Sequence, residues 1–334
     1  MFDPPGTAAS KGSGLRIDRS DRDARRGRFA GPRILVVGCG DVGLRVVDLL
    51  RDRYRVVALT HSQERVAALR SAAVVPVVAD LDDPRSLHRL GGLARIVVHL
   101  APPPAKGRID TRTRALLPLL HGVDTLIYVS TSGVYGDCRG AWVDETRTVA
   151  PETDRASRRV DAERCLRAWA RNSGTRLVVL RVPGIYAGDR LPTARIAAGT
   201  PALRESDDVF TNHIHADDLA RLIVLAIHRG AGQRIYHAVD DSAIRMGEWF
   251  DLIADTHGLQ RPERVARDAI EARVAPNLLS FMRESRRLSN ARMKNELGMR
   301  LAYPTVVDGV SAGASAAEMK KPATFAGFET AVLD

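Results

Sequence analysis

Cysteine is scarce in this chain of 334 residues, and lysine is scarcer than the positive net charge of the chain suggests. The three Cys, at positions 39, 138 and 165, are too few and too widely spaced for a disulfide framework or a zinc site. We therefore expect reduced thiols and no metal. Of the 50 basic residues 45 are Arg, and they are scattered, so the net charge of +10 does not indicate nucleic-acid binding.

Long apolar runs are also absent. No segment approaches the uninterrupted apolar length that spans a bilayer, and residues 1–30 have no apolar h-region. We therefore expect no secretion and no membrane partner, and a cytoplasmic protein by default. Residues 1–30 are rich in Gly, Ser, Asp and Arg without apolar periodicity, which predicts a disordered extension.

What the chain does have is a glycine triplet directly after an apolar run. Residues 33–37 are followed by Gly38, Cys39, Gly40, Asp41, Val42 and Gly43, in G-x-G-x-x-G spacing. Gly38 permits a tight turn, Gly40 lets the backbone approach a pyrophosphate, and Gly43 lets the next helix lie close to the strand. The segment predicts a dinucleotide site with phosphate at a helix N-terminus, although glycine turns also arise from packing alone.

Strand and helix patterns alternate beyond this loop. The predicted strands lie at 54–59, 74–79, 96–100, 126–130 and 177–181, and the predicted helices lie near 63–70, 84–90, 108–120 and 155–171. This alternation predicts an α/β fold with a doubly wound parallel sheet over residues 31–182. The rhythm then changes, which predicts a smaller C-terminal substrate lobe, mainly 183–310, and a peripheral tail over 311–334.

Coenzyme preference depends on the end of the second predicted strand, where an NAD-specific site places an acid on the ribose. Here the residues are Thr60, His61 and Ser62, and the acid is missing. Thr60 and Ser62 can hydrogen-bond a 2′-phosphate that His61 or Arg65 neutralises, so we expect NADP in preference to NAD. The alternative is that these residues only cap a helix beginning near Gln63.

Two further loops leave the predicted strands at the edge where ligands bind in open α/β sheets. Asp80, with Leu81 behind it, can accept a hydrogen bond from an adenine amino group or can serve only as a turn residue. Leu100, Ala101 and Pro102 would run beside the middle of the coenzyme, although a structural proline-rich connection would look the same.

The ordered motifs resemble the extended or atypical branch of the short-chain dehydrogenase/reductase superfamily, the NAD-dependent epimerase/dehydratase family. The likeness covers about residues 33–310 and rests on the glycine loop and on segments 130–136, 180–186 and 213–220. It implies a Rossmann domain with a substrate lobe, a bound nicotinamide dinucleotide, and chemistry on a carbonyl or secondary alcohol of a small-molecule substrate. It also implies a possible homodimer through the helices near 108–120 and 155–171.

The resemblance carries the family's catalytic Ser/Thr onto Thr131, with Ser132 as its neighbour. The Tyr and Lys of its Y-x-x-x-K motif, counted back from Glu163, fall on Arg155 and Arg159. Arginine stays protonated near neutral pH, so Arg155 can bind an anion or stabilise an oxyanion but cannot donate the proton. Arg159 can still hold ribose hydroxyls, and the alternative for Arg155, Arg158 and Arg159 is a solvated helix face.

The source of a proton and the overall function stay open at this stage. The loops that the resemblance brings toward the cleft offer Tyr135, Asp137, Tyr186 and His215 as proton donors. The favoured function is an NAD(P)-dependent oxidoreductase or epimerase-like enzyme with a degenerate Tyr/Lys site. The alternatives are a non-catalytic NADP(H) sensor or scaffold, and a nucleotide-sugar epimerase/dehydratase in which Arg195, Arg204 and Arg245 face a diphosphate.

Overall fold

A seven-stranded parallel sheet forms the centre of the structure, a computed structural model that describes residues 31–320. The predicted disorder of residues 1–30 and the last part of the predicted tail, residues 321–334, lie outside the described residues. The sheet strands are β1 (Arg33–Val37), β2 (Arg55–Thr60), β3 (Val75–Val78), β4 (Ile96–His99), β5 (Thr125–Thr131), β6 (Arg176–Val182) and β7 (Arg234–His237). Their order is β3-β2-β1-β4-β5-β6-β7, and this confirms the predicted doubly wound fold.

Helices cover both faces of the sheet and the lobe beside it. They are α1 (Asp41–Leu50), α2 (Arg65–Ser71), α3 (Thr111–Leu116), α4 (Asp154–Ser173), α5 (Thr193–Ala197), α6 (Ala216–Arg229), α7 (Met246–Thr256), α8 (Arg267–Glu271), α9 (Pro276–Met282), α10 (Ala291–Leu297) and α11 (Val306–Lys320). Short 3₁₀ turns occupy Pro84–Leu90, Leu117–Leu119, Ser132–Tyr135 and Glu205–Asp207. None of the described helices is both long and apolar enough to cross a membrane.

Each face of the sheet has its own apolar core. On one face, Val46 and Leu50 of α1 pack with Leu219 and Ile223 of α6. On the other face, the apolar side chains of α3 and α4 pack against inward residues of β4, β5 and β6. Strands buried on both sides read as continuous apolar runs, which is why their positions are legible in the sequence.

The chain returns to the Rossmann domain after residue 182. Helix α6 packs against α1, and β7 extends the sheet beside β6 with Ile235 opposite Val179. The expected division at residue 182 is therefore only approximate, because residues 216–237 complete the sheet and one of its helical layers. Sequence reasoning missed this return because a long excursion through the lobe separates β7 from β6.

The substrate lobe is built from α5, α7, α8 and α9 around a separate apolar core. Trp249, Phe250 and Ile253 of α7 are at its centre. Short strand pairs fasten the lobe, including Gly184–Tyr186 beside His213–His215 in parallel register. Helix α11 contributes Val306 and Val310 to the same core and continues across the boundary drawn at residue 310.

Candidate coenzyme and substrate site

The glycine loop between β1 and α1 has a different steric situation at each glycine. Gly38 has φ +87°, and a Cβ there would lie 2.5 Å from the backbone nitrogen of Ala101. Gly40 has open space, with no atom within 4 Å of a Cβ built on it. At Gly43 a Cβ would meet the Cys39 sulfur at 3.3 Å and Leu100 at 3.4 Å. The loop is thus closed toward the sheet and open toward solvent at its middle glycine.

The N-terminus of α1 opens directly onto that space. Gly40 is its N-cap residue and no side chain caps the helix, so backbone N–H groups of the first turn are free for an anion. The carboxylate of Asp41 turns to cations instead, with Arg45 at 3.2 Å and Arg190 at 2.7 Å. A pyrophosphate fits this cradle because donors are available and the acid beside them is already neutralised.

The end of β2 has a cation where a ribose is expected. Arg65 forms no ion pair or hydrogen bond within the described residues, and it lies close to the glycine loop. Burial raises the pKa of the Cys39 thiol to about 11, and the Arg65 charge opposes that rise. His61 is exposed and Ser62 is half-buried. This surface suits a phosphate better than a bare ribose hydroxyl.

The alternative that Thr60, His61 and Ser62 cap a helix at Gln63 is wrong. Helix α2 begins at Arg65, and no side chain caps it. The buried Thr60 hydroxyl instead accepts a hydrogen bond from the Ser62 backbone N–H at 3.3 Å, which shapes the local turn. The same hydroxyl donates to the Ser62 carbonyl at 3.4 Å, so it both accepts and donates within the protein, and the expectation that it binds a 2′-phosphate finds no support in this geometry.

The loops that follow β3 and β4 lie at the carboxyl ends of these parallel strands. Asp80 accepts a hydrogen bond from the Asp82 backbone at 2.9 Å through one oxygen, and its other oxygen has no recorded partner among the described residues. It is therefore a turn residue that still has an acceptor to offer, and Leu81 is half-buried behind it. Leu100 and Ala101 both donate backbone hydrogen bonds to the Val37 carbonyl, at 2.8 and 2.9 Å, which draws this loop across the glycine turn.

A cavity of about 580 Å³ opens at the carboxyl ends of β5 and β6, between the sheet and the substrate lobe. The sheet side contributes Pro102, Thr131 and Ser132. Thr131 accepts a hydrogen bond from the Gly133 backbone at 3.2 Å, whereas Ser132 has no recorded side-chain partner in the described chain. Ser130 is committed elsewhere, because its hydroxyl donates to buried Glu163 at 2.6 Å. Two hydroxyls therefore remain for a substrate.

Arg155 lies in the first turn of α4 and lines this cavity. Its guanidinium lies 4.3 Å from the centre of the Phe281 ring, and it has no ion pair or hydrogen bond with a described residue. Burial lowers the pKa of Arg155. The nearby charges of Arg158 and Arg159 lower it further, and the charge of Glu284 opposes the change. Arg155 is a cation exposed at the cavity wall, and it has no bonded anion among the described residues.

The two arginines that follow are occupied by the protein. Arg159 donates to the Tyr128 hydroxyl and to the Val129 carbonyl, both at 3.0 Å. Arg158 is buried and donates to the Gly107 carbonyl. Arg158 and Arg159 therefore do not lie on a solvated helix face, because their guanidinium groups bond to the protein. Arg155 is exposed, and the solvated-face alternative stays open for it.

None of the four proposed proton donors presents its polar group to the cavity. The hydroxyl of Tyr135 is buried between Arg181 and His237, at 2.6 Å from each, and burial raises its pKa to about 12. The Tyr186 hydroxyl donates to the Thr305 carbonyl. The His215 ring accepts a hydrogen bond from the Asp217 backbone N–H and so caps α6. Asp137 accepts hydrogen bonds from the backbone N–H groups of Arg139 and Ser285.

Sequence reasoning did not assign most of the cavity residues from the second half of the chain, among them His213, Trp249, Phe281 and Glu284. His213 is buried against Trp249, with ring centres 4.4 Å apart, and its Nδ1 has no hydrogen-bond partner in the described structure. Burial lowers the pKa of His213 to about 3, so the ring is neutral. Only His213 has a sequence signal, since it opens the segment at 213–220. The others reach the cavity through tertiary folding alone.

Comparison with known proteins decides the family. A family model described as "NAD dependent epimerase/dehydratase family" matches residues 34–238, more than half of the chain. The chain belongs to this family. Its coenzyme class is therefore a nicotinamide dinucleotide, in agreement with the glycine cradle.

Named relatives of this epimerase/dehydratase chain agree in extent but differ in what is known of them. Protein YeeZ of Escherichia coli K12 is 26% identical over 285 residues, which is 81% of this chain and 96% of YeeZ. A functionally unknown conserved protein from Silicibacter pomeroyi superposes with a TM-score of 0.72 at 26% identity, over 86% of this chain and 99% of that one. A UDP-glucose 4-epimerase from Thermotoga maritima shares the fold, with a TM-score of 0.70 at 20% identity, over 86% of this chain and 99% of the epimerase.

The arginines proposed for a nucleotide-sugar diphosphate do not gather at one place in this family member. Arg195 lines the cavity. Arg204 pairs with Asp207 at 2.9 Å, and Arg245 donates to the Glu205 carbonyl at 2.9 Å. A diphosphate subsite made by all three is therefore not present in this arrangement.

Proposed function

We propose that this protein is an NADP(H)-dependent oxidoreductase that transfers a hydride between its coenzyme and the carbonyl or secondary alcohol carbon of a small substrate. The proposal rests on the continuity between the nucleotide cradle and the cavity along one edge of the sheet. A nucleotide cradle at Gly38–Gly43 leads along the sheet edge to a cavity with free hydroxyls at its wall. In an open α/β sheet this edge is where coenzyme and substrate meet.

The preference for NADP over NAD is part of the proposal. Arg65 has no anionic partner among the described residues and stands at the end of β2, where the adenosine ribose would lie. A 2′-phosphate would supply the missing anion, and the charge-assisted hydrogen bonds are strong. Asp80 would accept from the adenine amino group through its free oxygen.

The chemistry divides between the coenzyme and the cavity residues. A bound nicotinamide ring supplies or accepts the hydride. Thr131 and Ser132 would hydrogen-bond the carbonyl oxygen, and the positive charge of Arg155 would stabilise the alkoxide as it forms. Arg159, bonded to Tyr128 and Val129, holds the β5 end that carries these hydroxyls. The alkoxide would be protonated by water, because Arg155 stays charged and the cavity is open.

The test uses the full chain with NADPH and a panel of ketones, aldehydes and nucleotide-sugars. We expect NADPH oxidation with at least one carbonyl compound, and kcat about 100-fold lower for Thr131→Ala, the loss expected on removing one oxyanion donor. Thr148→Ala, on an exposed loop, is the matched control and should keep full activity.

Each other outcome has a defined reading. Tight NADPH binding without turnover of any panel member would favour the non-catalytic sensor. Turnover limited to nucleotide-sugars would favour the epimerase/dehydratase activity. Absence of coenzyme binding by folded protein would refute the whole proposal.

A further inference from the structure

We infer that the substrate carries a carboxylate next to the reacting carbonyl, as in a 2-oxo acid or the corresponding 2-hydroxy acid, and that Arg155 binds this carboxylate. The inference deepens the proposed hydride transfer and rests on it. It names a substrate class and a specificity-determining residue for the same cavity.

Arg155 differs from its cationic neighbours in having no acceptor among the described residues. Arg159 is bonded to Tyr128, Arg158 to the Gly107 carbonyl, and Arg286 to Glu284 at 2.8 Å. Arg155 makes only the stacking contact with Phe281 among the described residues. Arg155 is exposed to the cavity. A cation at a cavity wall without a protein acceptor is available to pair with an anionic ligand.

Arg155 also occupies an unfavourable place for a cation. It is the second residue of a 20-residue helix, at the positive end of the helix dipole. Arg158, Arg159 and Arg286 add positive charge nearby. Glu284 is the acid that faces this group, and it is already paired with Arg286. The region therefore has an excess of positive charge that an anionic ligand would relieve.

The shape of the guanidinium indicates which kind of anion Arg155 would bind. A guanidinium is planar and presents N–H donors in a fork that matches the two oxygens of a carboxylate. The Phe281 ring covers one side of the Arg155 group and restricts its plane. This restriction favours a planar, bidentate acceptor, so we commit to a carboxylate rather than a phosphate.

The first turn of α4, which carries Arg155, lies beside the turn that follows β5. A Cβ built on Gly133 would lie 3.9 Å from the Cβ of Ala156 and 3.6 Å from the Thr131 hydroxyl oxygen. The first turn of α4 thus packs on the turn that holds Thr131 and Ser132. Arg155, Thr131 and Ser132 line the same cavity, and we assign the carboxylate and the carbonyl of the substrate to adjacent carbons, as in a 2-oxo acid.

The rest of the cavity indicates the side chain of this acid. The substrate lobe contributes apolar residues to the wall, namely Met246, Trp249, Phe250, Leu278 and Phe281. An aryl or branched alkyl group fits such a wall by burial of apolar surface. The neutral His213 ring, unbonded at Nδ1 and set against Trp249, lies in the same wall.

The reaction balances without further reagents. The 2-oxo carbon accepts a hydride from the reduced nicotinamide ring, and the electron pair of the C=O π bond moves to oxygen. That oxygen takes a proton from water. The products are a 2-hydroxy acid and the oxidised coenzyme, and the reverse reaction oxidises the 2-hydroxy acid.

The experiment compares benzoylformate with methyl benzoylformate, which keeps the same ketone but lacks the negative charge. Binding to the full chain is measured by calorimetry with NADP⁺ present, so that no turnover occurs. We expect the acid to bind at least about 10-fold more tightly than the ester, as a charged hydrogen-bonded pair provides. Arg155→Gln should remove this difference, and Arg155→Lys should keep part of it.

Arg164→Gln is the matched control, since Arg164 lies on the exposed face of the same helix. It should leave the preference for the acid intact. The comparison of acid with ester in the unmodified protein needs no variant, so a poorly folding Arg155→Gln does not remove the test.

Coenzyme binding is measured first, which separates the two proposals. Protein that fails to bind NADP⁺ or NADPH refutes the proposed function. Normal coenzyme binding with equal affinity for acid and ester overturns only the carboxylate inference. Stronger displacement of benzoylformate by inorganic phosphate than by benzoate would also overturn it, in favour of a phosphorylated substrate.

Discussion

The glycine cradle and the catalytic end of the cavity lie along one edge of the same sheet, yet they follow the family pattern to different degrees. The cradle keeps all three glycines, an uncapped helix start and open space above Gly40. The catalytic end keeps Thr131 but has Arg155 and Arg159 at the positions where the resemblance implies Tyr and Lys. Backbone geometry makes the cradle, whereas individual side chains make the chemistry, so the second can change while the first is retained.

A buried ion pair underlies the catalytic end and explains why it stays ordered. Arg181 donates to Glu163 through two nitrogens, at 3.1 and 2.7 Å, and both side chains are about 5% exposed. Ser130 and Tyr135 extend the network at 2.6 Å each. Glu163 therefore fixes the end of β5 against α4, whichever residues occupy positions 155 and 159.

The largest expected effect tests the cradle. Gly38→Ala places a methyl group 2.5 Å from the Ala101 backbone at a left-handed φ. We expect a loss of about 2–5 kcal/mol in the free energy of unfolding and a coenzyme Kd about 100-fold higher, because the loop must shift away from the phosphate. Denaturant unfolding and calorimetry with NADPH measure the two effects.

Gly122→Ala separates the backbone term from the clash. Gly122 has φ +69° but no atom within 4 Å of a built Cβ. It should cost about 1–2 kcal/mol and leave coenzyme binding unchanged. Equal losses of binding in both variants would contradict the steric account of the cradle.

The second effect tests the support beneath the catalytic end. Glu163→Gln leaves Arg181 buried without a counter-charge, so we expect a loss of about 3–5 kcal/mol in the free energy of unfolding. Asp255→Asn removes one half of the exposed pair with Arg261 and should cost far less, because solvent screens that pair. Denaturant midpoints compared at one pH decide it, and similar losses in the two variants would show that the buried pair has no special role.

The smallest effect sharpens the coenzyme assignment. Arg65→Ala should raise the Kd for NADPH about 10-fold and leave the Kd for NADH unchanged, because only NADPH has the 2′-phosphate. Arg70→Ala, on the exposed side of the same helix, should change neither value. Equal weakening of both coenzymes by Arg65→Ala would place Arg65 on the shared part of the dinucleotide.

Much of the fold was predictable, and the reasons are local. The buried strands β1, β2, β4, β5 and β6 read as apolar runs, and the glycine triplet marks the β1–α1 turn because few other residues permit it. The oligomeric state stays a prediction. The sequence did not indicate that β7 joins the sheet, because its partner, β6, is distant in sequence.

The candidate site was predictable in its cradle and much less so in its cavity. Thr131, Ser132 and Arg155 line the cavity as the motif positions imply. Tyr135, Asp137 and His215 share the same motifs, yet their polar groups are used within the protein. A motif fixes a position along the chain, but whether a side chain points into the cavity depends on packing from other segments.

The sequence by itself determined the Rossmann sheet, the phosphate cradle and the replacement of two family residues by arginine, since each depends on neighbouring residues in the chain. The tertiary structure alone decided which cations are free. Arg158, Arg159 and Arg286 meet acceptors from distant segments, and Arg155 meets the face of Phe281. Charge is written in the sequence, but its compensation depends on which elements fold against it.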